Sequence, residues 1–138
     1  MLKIVLDTNV LVSGLLSPFN KPADILRLIV AGQLQLCVDA RILAEYREVL
    51  YRPKFQFDRS RIEILLDYLR GIGEPVMALP LPDSLPDPGD IPFLEVAVAG
   101  DVKYLVTGNV SHFPQKYRSV HVVTPADFMK IYRKSFET

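Results

Sequence analysis

Ile4-Val5-Leu6-Asp7-Thr8-Asn9-Val10-Leu11-Val12-Ser13 stands almost at the start of the chain, and its reading decides the fold. Ile4-Val5-Leu6 is a short apolar, β-branched run that stops at Asp7-Thr8-Asn9, residues that favour turns and helix caps. It reads as a buried parallel strand followed at once by a helix. Three consecutive apolar residues before an aspartate are too few for a signal-peptide core or a membrane span. The expectation is therefore a fold that begins at residue 1, a cytoplasmic location and no membrane.

Strand and helix signals alternate outward from that segment. Ala23 to Val30 carries apolar residues on most sides of a helix, with Gly32 as its stop. Leu34 to Val38 is the next strand. From Ala40 the apolar spacing changes to Ile42, Leu43, Tyr46, Val49 and Leu50, a helical stripe with Glu45 on its border. Ser60 to Leu69 makes another amphipathic helix, ended by Gly71 and Gly73. Glu74 to Gly89 holds five of the eleven prolines and reads as extended chain, with a short edge strand near Val76 to Leu79 and then a loop. A helix is predicted from Asp90, with Pro92 in its first turn, Phe93, Leu94 and Ala97 inward, Glu95 on the solvated side, and Gly100 at its end. Tyr104-Leu105-Val106 closes as a strand at Thr107-Gly108-Asn109, His121-Val122-Val123 is a last short strand, and Pro125 to Tyr132 a terminal helix. Strands alternating with helices argue for a parallel α/β sheet with helices on both faces.

A chain of 138 residues suits one domain, residues 1–138. Sixteen basic residues balance sixteen acidic ones, so bulk charge leaves no footprint for nucleic acid, and any RNA binding must come from local patches. Cys37, the single cysteine, excludes an internal disulfide and reads as a packed core thiol.

Ligands of open parallel α/β sheets bind at the carboxyl ends of the strands. Asp7 follows the first strand, Asn109 follows the strand of Leu105-Val106, Asp90 begins the helix that feeds that strand, and Glu45 lies about a turn and a half into the helix after Leu34 to Val38. Three carboxylates and an amide, distant in sequence, thus face one cleft. Crowded carboxylates raise one another's pKa unless a cation neutralises them, and Mg²⁺ or Mn²⁺ suits oxygen ligands while leaving positions open for a phosphate. Each residue also has a plainer reading. Asp7 and Asp90 can serve as helix caps, Glu45 can pair with Arg41 or Arg47, and Asn109 can supply a left-handed turn. His112 and His121 read as structural. Arg41, Arg47, Arg52, Lys54, Arg59 and Arg61 form a locally basic stretch, either an RNA path beside Glu45 or a solvated face.

The opening segment resembles the first motif of PIN domains, whose first catalytic acid matches Asp7. Leu43-Ala44-Glu45-Tyr46 through Arg52-Pro53-Lys54-Phe55 is similar to the second-acid helix of the VapC-like branch, the toxin components of toxin–antitoxin pairs. Asp90-Ile91-Pro92-Phe93-Leu94-Glu95-Val96-Ala97 and Tyr104-Leu105-Val106-Thr107-Gly108-Asn109 resemble the third and fourth motifs. The resemblance implies a five-stranded parallel sheet in the order 3-2-1-4-5, a Mg²⁺ or Mn²⁺ site on Asp7, Glu45, Asp90 and Asn109, and endonucleolytic cleavage of RNA. It further implies Thr8, Asn9, Ser13 and Thr107 as neighbours of the acids or of the substrate, a homodimer, and a small antitoxin protein as partner. The chain departs from the pattern at Asn109 and Ile91, where acids are common in the family. A non-catalytic PIN domain that binds RNA or protein is the alternative. A haloacid-dehalogenase-type phosphatase needs an acid at position 9, where Asn9 stands.

Overall fold

The computed structural model describes residues 1–135, so the last three positions of the expected 1–138 domain lie outside the described residues. The order of elements is β1 (Lys3–Leu6), α1 (Thr8–Leu16), α2 (Lys21–Val30), β2 (Gln35–Val38), α3 (Ala40–Leu50), α4 (Arg59–Ile72), β3 (Glu74–Pro75), α5 (Ile91–Ala99), β4 (Tyr104–Val106), β5 (Lys116–Tyr117), β6 (Val120–Val123) and α6 (Pro125–Lys134). The sheet runs β3-β2-β1-β4-β6-β5. All pairings are parallel except β5 against β6.

Side-chain caps start most of the helices where the chain leaves a strand or loop. Asn20 accepts from Ala23 N at 2.9 Å, Asp39 from Ile42 N at 3.0 Å, and Asp58 from Ser60 N at 2.8 Å. Each satisfies a backbone donor that the first helical turn leaves without a partner. Gly32, at φ +77°, takes the left-handed conformation just after α2, which glycine adopts without a Cβ penalty. The core is built on β1, β2 and β4, with Tyr46, Phe93 and Phe128 as its largest enclosed rings. Cys37 belongs to it, and burial pushes its thiol up to about 11, consistent with a packing role.

Four expectations need correction. The sheet gains a sixth, antiparallel strand because the chain doubles back through Arg118, at φ +53°, and pairs Lys116-Tyr117 with the start of β6. The edge strand is Glu74–Pro75 rather than Val76 to Leu79. Val76 N still donates to Val38 O at 2.9 Å, but β2 ends there as Asp39 caps α3, so the edge chain runs out of partner. Gly71 lies inside α4, which ends at Gly73.

Glu95 is the largest departure. It is 7% exposed, and α5 buries five consecutive residues from Phe93 to Ala97. Its Oε1 accepts from Arg41 Nη1 at 2.7 Å and its Oε2 from Leu81 N at 2.9 Å. A buried carboxylate requires such donors, and this one fastens the proline-rich chain and α3 to α5. Glu95→Ala is expected to cost about 2–4 kcal/mol of unfolding free energy in urea titrations, and Arg41→Ala at least as much, because it strands the buried carboxylate with Leu81 N as its remaining donor. An unchanged midpoint for Glu95→Ala would show the pair to be dispensable.

Candidate metal and phosphodiester site

Parallel pairing of β1 with β4 places Leu6 beside Val106, so the next residues, Asp7 and Thr107, emerge side by side at the carboxyl edge of the sheet. Asp7 N donates to Val106 O at 2.9 Å, and Thr107 N to Val123 O at 2.9 Å, so the ladder continues to the rim. Asp7 is 5% exposed and Thr107 fully buried. The Asp7 carboxylate accepts from Thr8 N at 2.8 Å and from Thr107 Oγ1 at 2.7 Å. Asn9 Nδ2 lies at 3.4 Å from the same oxygen that Thr107 holds, while Asn9 Oδ1 accepts from Gly108 N at 3.1 Å. Asp7 is thus both the cap of α1 and the centre of a polar cluster.

The link to the second acid runs through Thr8. Its hydroxyl donates to Glu45 Oε2, which joins the start of α1 to the middle of α3. One residue on, Tyr46 Oη donates to Leu6 O at 2.5 Å from a fully enclosed position. That bond fixes α3 against the end of β1 and so sets where Glu45 stands relative to Asp7. The sequence presents Tyr46 only as part of an apolar stripe, and nothing in the periodicity marks its hydroxyl.

Asp90 approaches from the other side. It precedes α5 but makes no side-chain capping bond. Among the described residues its Oδ2 is buried without a hydrogen-bond partner, and His112 Nδ1 lies 3.6 Å from it. The structure therefore moves His112 from the structural reading to the edge of the site, carried there by the short 3₁₀ turn Val110–His112 that follows Asn109. Asp87, which the sequence reading passed over inside the proline-rich stretch, is a further carboxylate here. It caps the turn Pro88–Asp90 through Gly89 N and adds its charge to the other three acids. Asn109 sits on the rim with its amide exposed, and its backbone N donates to Thr107 Oγ1 at 3.0 Å. At φ −116° it does not adopt the left-handed turn considered above. Its side chain makes no hydrogen bond to the acids among the described residues. Ser13 lies further along α1, where its Oγ accepts from Asn20 Nδ2 at 3.3 Å.

The electrostatics report the crowding. Burial pushes the Asp7 carboxyl upward, with the Thr107 and Thr8 bonds opposing and Asp87 adding to the rise. Burial and the charges of Asp7, Glu48 and Asp87 do the same to Glu45, against the Thr8 bond. Asp90 is pushed from 3.8 up to about 6 by burial first, then by Asp7 and Asp87, with Glu45 contributing and His112 opposing. Thr8 bonds both Asp7 and Glu45, and the charges of both add to the upward push on Asp90.

This donor set bears on a divalent cation. Among the described residues no three Asp, Glu, His or Cys side chains form a group able to hold a metal ion by themselves. Mg²⁺ does not need one, because it keeps several waters and is commonly held by one or two carboxylates and the substrate's phosphate. The donors are oxygens, the local charge is negative, and the unpartnered Asp90 Oδ2 is an acceptor that an ion or its water satisfies. The residues fit a hydrated hard cation.

Of the locally basic residues, three are engaged within the chain. Arg41 holds Asp39 and Glu95, Arg47 holds Glu63, and Arg52 holds Glu48 at 2.9 Å. Lys54 and Arg59 lie over the rings of Phe55 and Tyr51. The stretch is a paired surface rather than a row of free cations.

The sign of the Asp90 shift gives a stability test without metal. Its folded-state value lies above the ordinary carboxylate value, so the fold holds that proton more tightly than the unfolded chain does. The stability this carboxyl contributes is complete below about pH 4 and is lost as pH rises through about 6. In EDTA, the native chain is expected to lose about 1–2 kcal/mol relative to Asp90→Asn between about pH 4 and 7, allowing for solvent screening. A difference that does not vary with pH would remove the crowding at Asp90.

Comparison with known proteins follows the same lines. A family model described as PIN domain matches residues 3–111, which takes in Asp7, Glu45, Asp90 and Asn109. No curated protein matches. Among solved structures, a chain in the crystal structure of VapBC2 from Rickettsia felis bound to a DNA fragment from their promoter is similar at 15% identity and a TM-score of 0.59, over 89% of this chain and 98% of that one. Its likeness is one of fold, and among the described residues of this chain no helix is long and apolar enough to cross a membrane. On the match of residues 3–111, over an α/β fold with a mostly parallel sheet, the chain belongs to the PIN domain family.

Proposed function

We propose that the chain is a Mg²⁺- or Mn²⁺-dependent endoribonuclease and the toxin of a toxin–antitoxin pair, with Asp7, Glu45 and Asp90 as its metal-holding carboxylates. The observation that carries this reading is the partly buried, mutually repelling acid cluster at the carboxyl edge of the sheet, with Asp90 Oδ2 left without a donor among the described residues. A fold under selection for stability alone has no reason to gather these charges. Membership of the PIN domain family supports a nuclease, and the fold likeness to a chain of a VapBC2 complex supports an antitoxin as partner. A homodimer and a cytoplasmic location belong to the same proposal.

When bound, the cation would polarise a phosphodiester and make an attacking water more acidic. The chain's own residues have distinct tasks. Thr8 N and Thr107 Oγ1 hold the Asp7 carboxylate in one orientation, and its oxygens keep acceptor capacity for an ion or its water. Thr8 Oγ1 orients Glu45, and Tyr46 fixes the helix that bears it. His112, at the mouth beside Asp90, is placed to contact a phosphate oxygen or the leaving group. Asn109 adds an uncharged amide where many relatives are expected to carry an acid. That substitution is the observation favouring the second reading, a PIN domain that binds RNA or a protein without cutting it.

Cleavage of single-stranded and structured RNAs in Mn²⁺ separates the two. The native chain is expected to cut, and Asp7→Asn or Asp90→Asn to cut at least about 100-fold more slowly, as for loss of a group that stabilises developing charge. Cleavage that persists in Asp7→Asn would mark a contaminant, and RNA binding without cleavage by the native chain would establish the second reading. Metal linkage provides an independent readout. A cation present at about 100 times its dissociation constant stabilises by about 2.7 kcal/mol, so Mn²⁺ is expected to raise the Tm of the native chain and not that of Asp7→Asn/Asp90→Asn.

A further inference from the structure

Next to the acid cluster, between α1 and the segment that follows α3, lies a cleft of about 430 Å³. Val12 and Leu16 from α1 line it together with Val49 from α3 and Phe55 from the segment beyond, and Leu16 is 57% exposed although it is a leucine. Thr8 lines the inner end, and Thr8 is also the donor to Glu45, so the cleft is continuous with the proposed cleavage site. Arg52 lines it too, and Lys54 lies beside it with its Nζ 5.1 Å from the centroid of the Phe55 ring. Phe55 is backed by Phe57, with centroids 5.7 Å apart and the rings nearly parallel.

We propose that this cleft is a nucleobase pocket that receives one unstacked base of single-stranded RNA from a nucleotide adjoining the cleaved bond. The proposal rests on the ribonuclease reading and names the substrate class that the same site takes. Three features argue for a nucleotide. The volume lies within the range of roughly 300–1,000 Å³ typical of small-molecule sites, ample for one heteroaromatic ring system. An aromatic wall faced by aliphatic side chains suits a flat base, whose π-face stacks whatever its sequence.

The charge pattern is the third. The acid cluster, which calls for a cation and hence a phosphate, adjoins the slot through Thr8, and the basic groups at or beside its wall are Arg52, bonded to Glu48, and Lys54, over the Phe55 ring. A cation-bound phosphate beside an apolar slot matches the order of phosphate and base along a polynucleotide. Ser13 Oγ, which accepts from Asn20, keeps its own proton to donate to a base edge in the cleft. A base paired in a duplex is stacked and turned inward, so the pocket selects single strands, loops and bulges.

The test uses the full chain and an RNA that it cuts. Each nucleotide flanking the cleaved bond is replaced in turn by an abasic ribose, which keeps the phosphates and removes the ring. One of the two replacements is expected to lower kcat/KM by about 10- to 100-fold, the range for loss of one stacked base. Leu16→Ala, at a surface position that the fold tolerates, and Phe55→Ala are expected to weaken cleavage of the intact RNA and to add little on the abasic one. Equal cleavage of intact and abasic RNA, or equal loss on both from the two variants, overturns the pocket, leaves the nuclease reading standing and assigns the cleft to a protein segment. Absence of cleavage of every RNA strikes the nuclease reading instead. The pocket is then scored by anisotropy of labelled intact and abasic oligonucleotides in Ca²⁺, where weaker binding of the abasic strand supports it and equal affinity overturns it.

Discussion

A buried carboxylate must find donors, and the position of Asp7 at the end of the central strand makes that requirement the organising constraint of the molecule. Its charge is taken out of water at the point where β1 stops, and the donors that compensate it come from Thr8 on the following helix and Thr107 on the neighbouring strand. Satisfying one side chain therefore ties β1, α1 and β4 together at the rim. Thr8 extends the tie to Glu45 on α3, and the Tyr46 hydroxyl on Leu6 O closes the loop back to the same strand. What looks like a catalytic constellation is also the bonding that registers four elements against one another.

The cluster is asymmetric in a way that separates structure from function. Asp7 and Glu45 are held by hydrogen bonds within the protein, whereas Asp90 brings an oxygen into the same region and leaves it without a donor. Desolvation and like charge both resist its ionisation, so the fold would be more stable near neutral pH with an amide there. Retaining a costly acid is understandable where a cation and a phosphate complete the bonding. Glu95 offers the contrast. It is more deeply buried than Asp90 but saturated by Arg41 and Leu81 N, and it therefore reads as architecture.

The parts of this arrangement that were legible in the sequence are those with local signatures. Ile4-Val5-Leu6 before Asp7-Thr8-Asn9 announces a strand, an edge and a helix start, and the stripe through Ile42, Tyr46 and Leu50 places Glu45 on the border of a buried face. Glu95 is buried where the spacing predicts solvent because α5 has no single inner face. Ile91-Pro92-Phe93-Leu94-Glu95-Val96-Ala97-Val98-Ala99 has one charged residue in nine, and a helix apolar on every side is buried on every side. The β5 strand is two residues long, too short to have a period. His112 and Asp87 reach the site through 3₁₀ turns, whose course no hydrophobic pattern encodes. The expected sheet order held for the parallel core, and only the hairpin at its edge was added.

In the proposed function, Asp7, Glu45 and Asp90 meet a divalent ion at one rim of the sheet, and such an ion is directly observable. Anomalous diffraction from crystals soaked in Mn²⁺ is expected to show a peak between Asp7, Glu45 and Asp90, bonded to one or two of them and reaching the rest through water. Lower occupancy is expected in Asp7→Asn crystals. A Mn²⁺ peak bound elsewhere on the chain, with this rim empty at saturating metal, would contradict it.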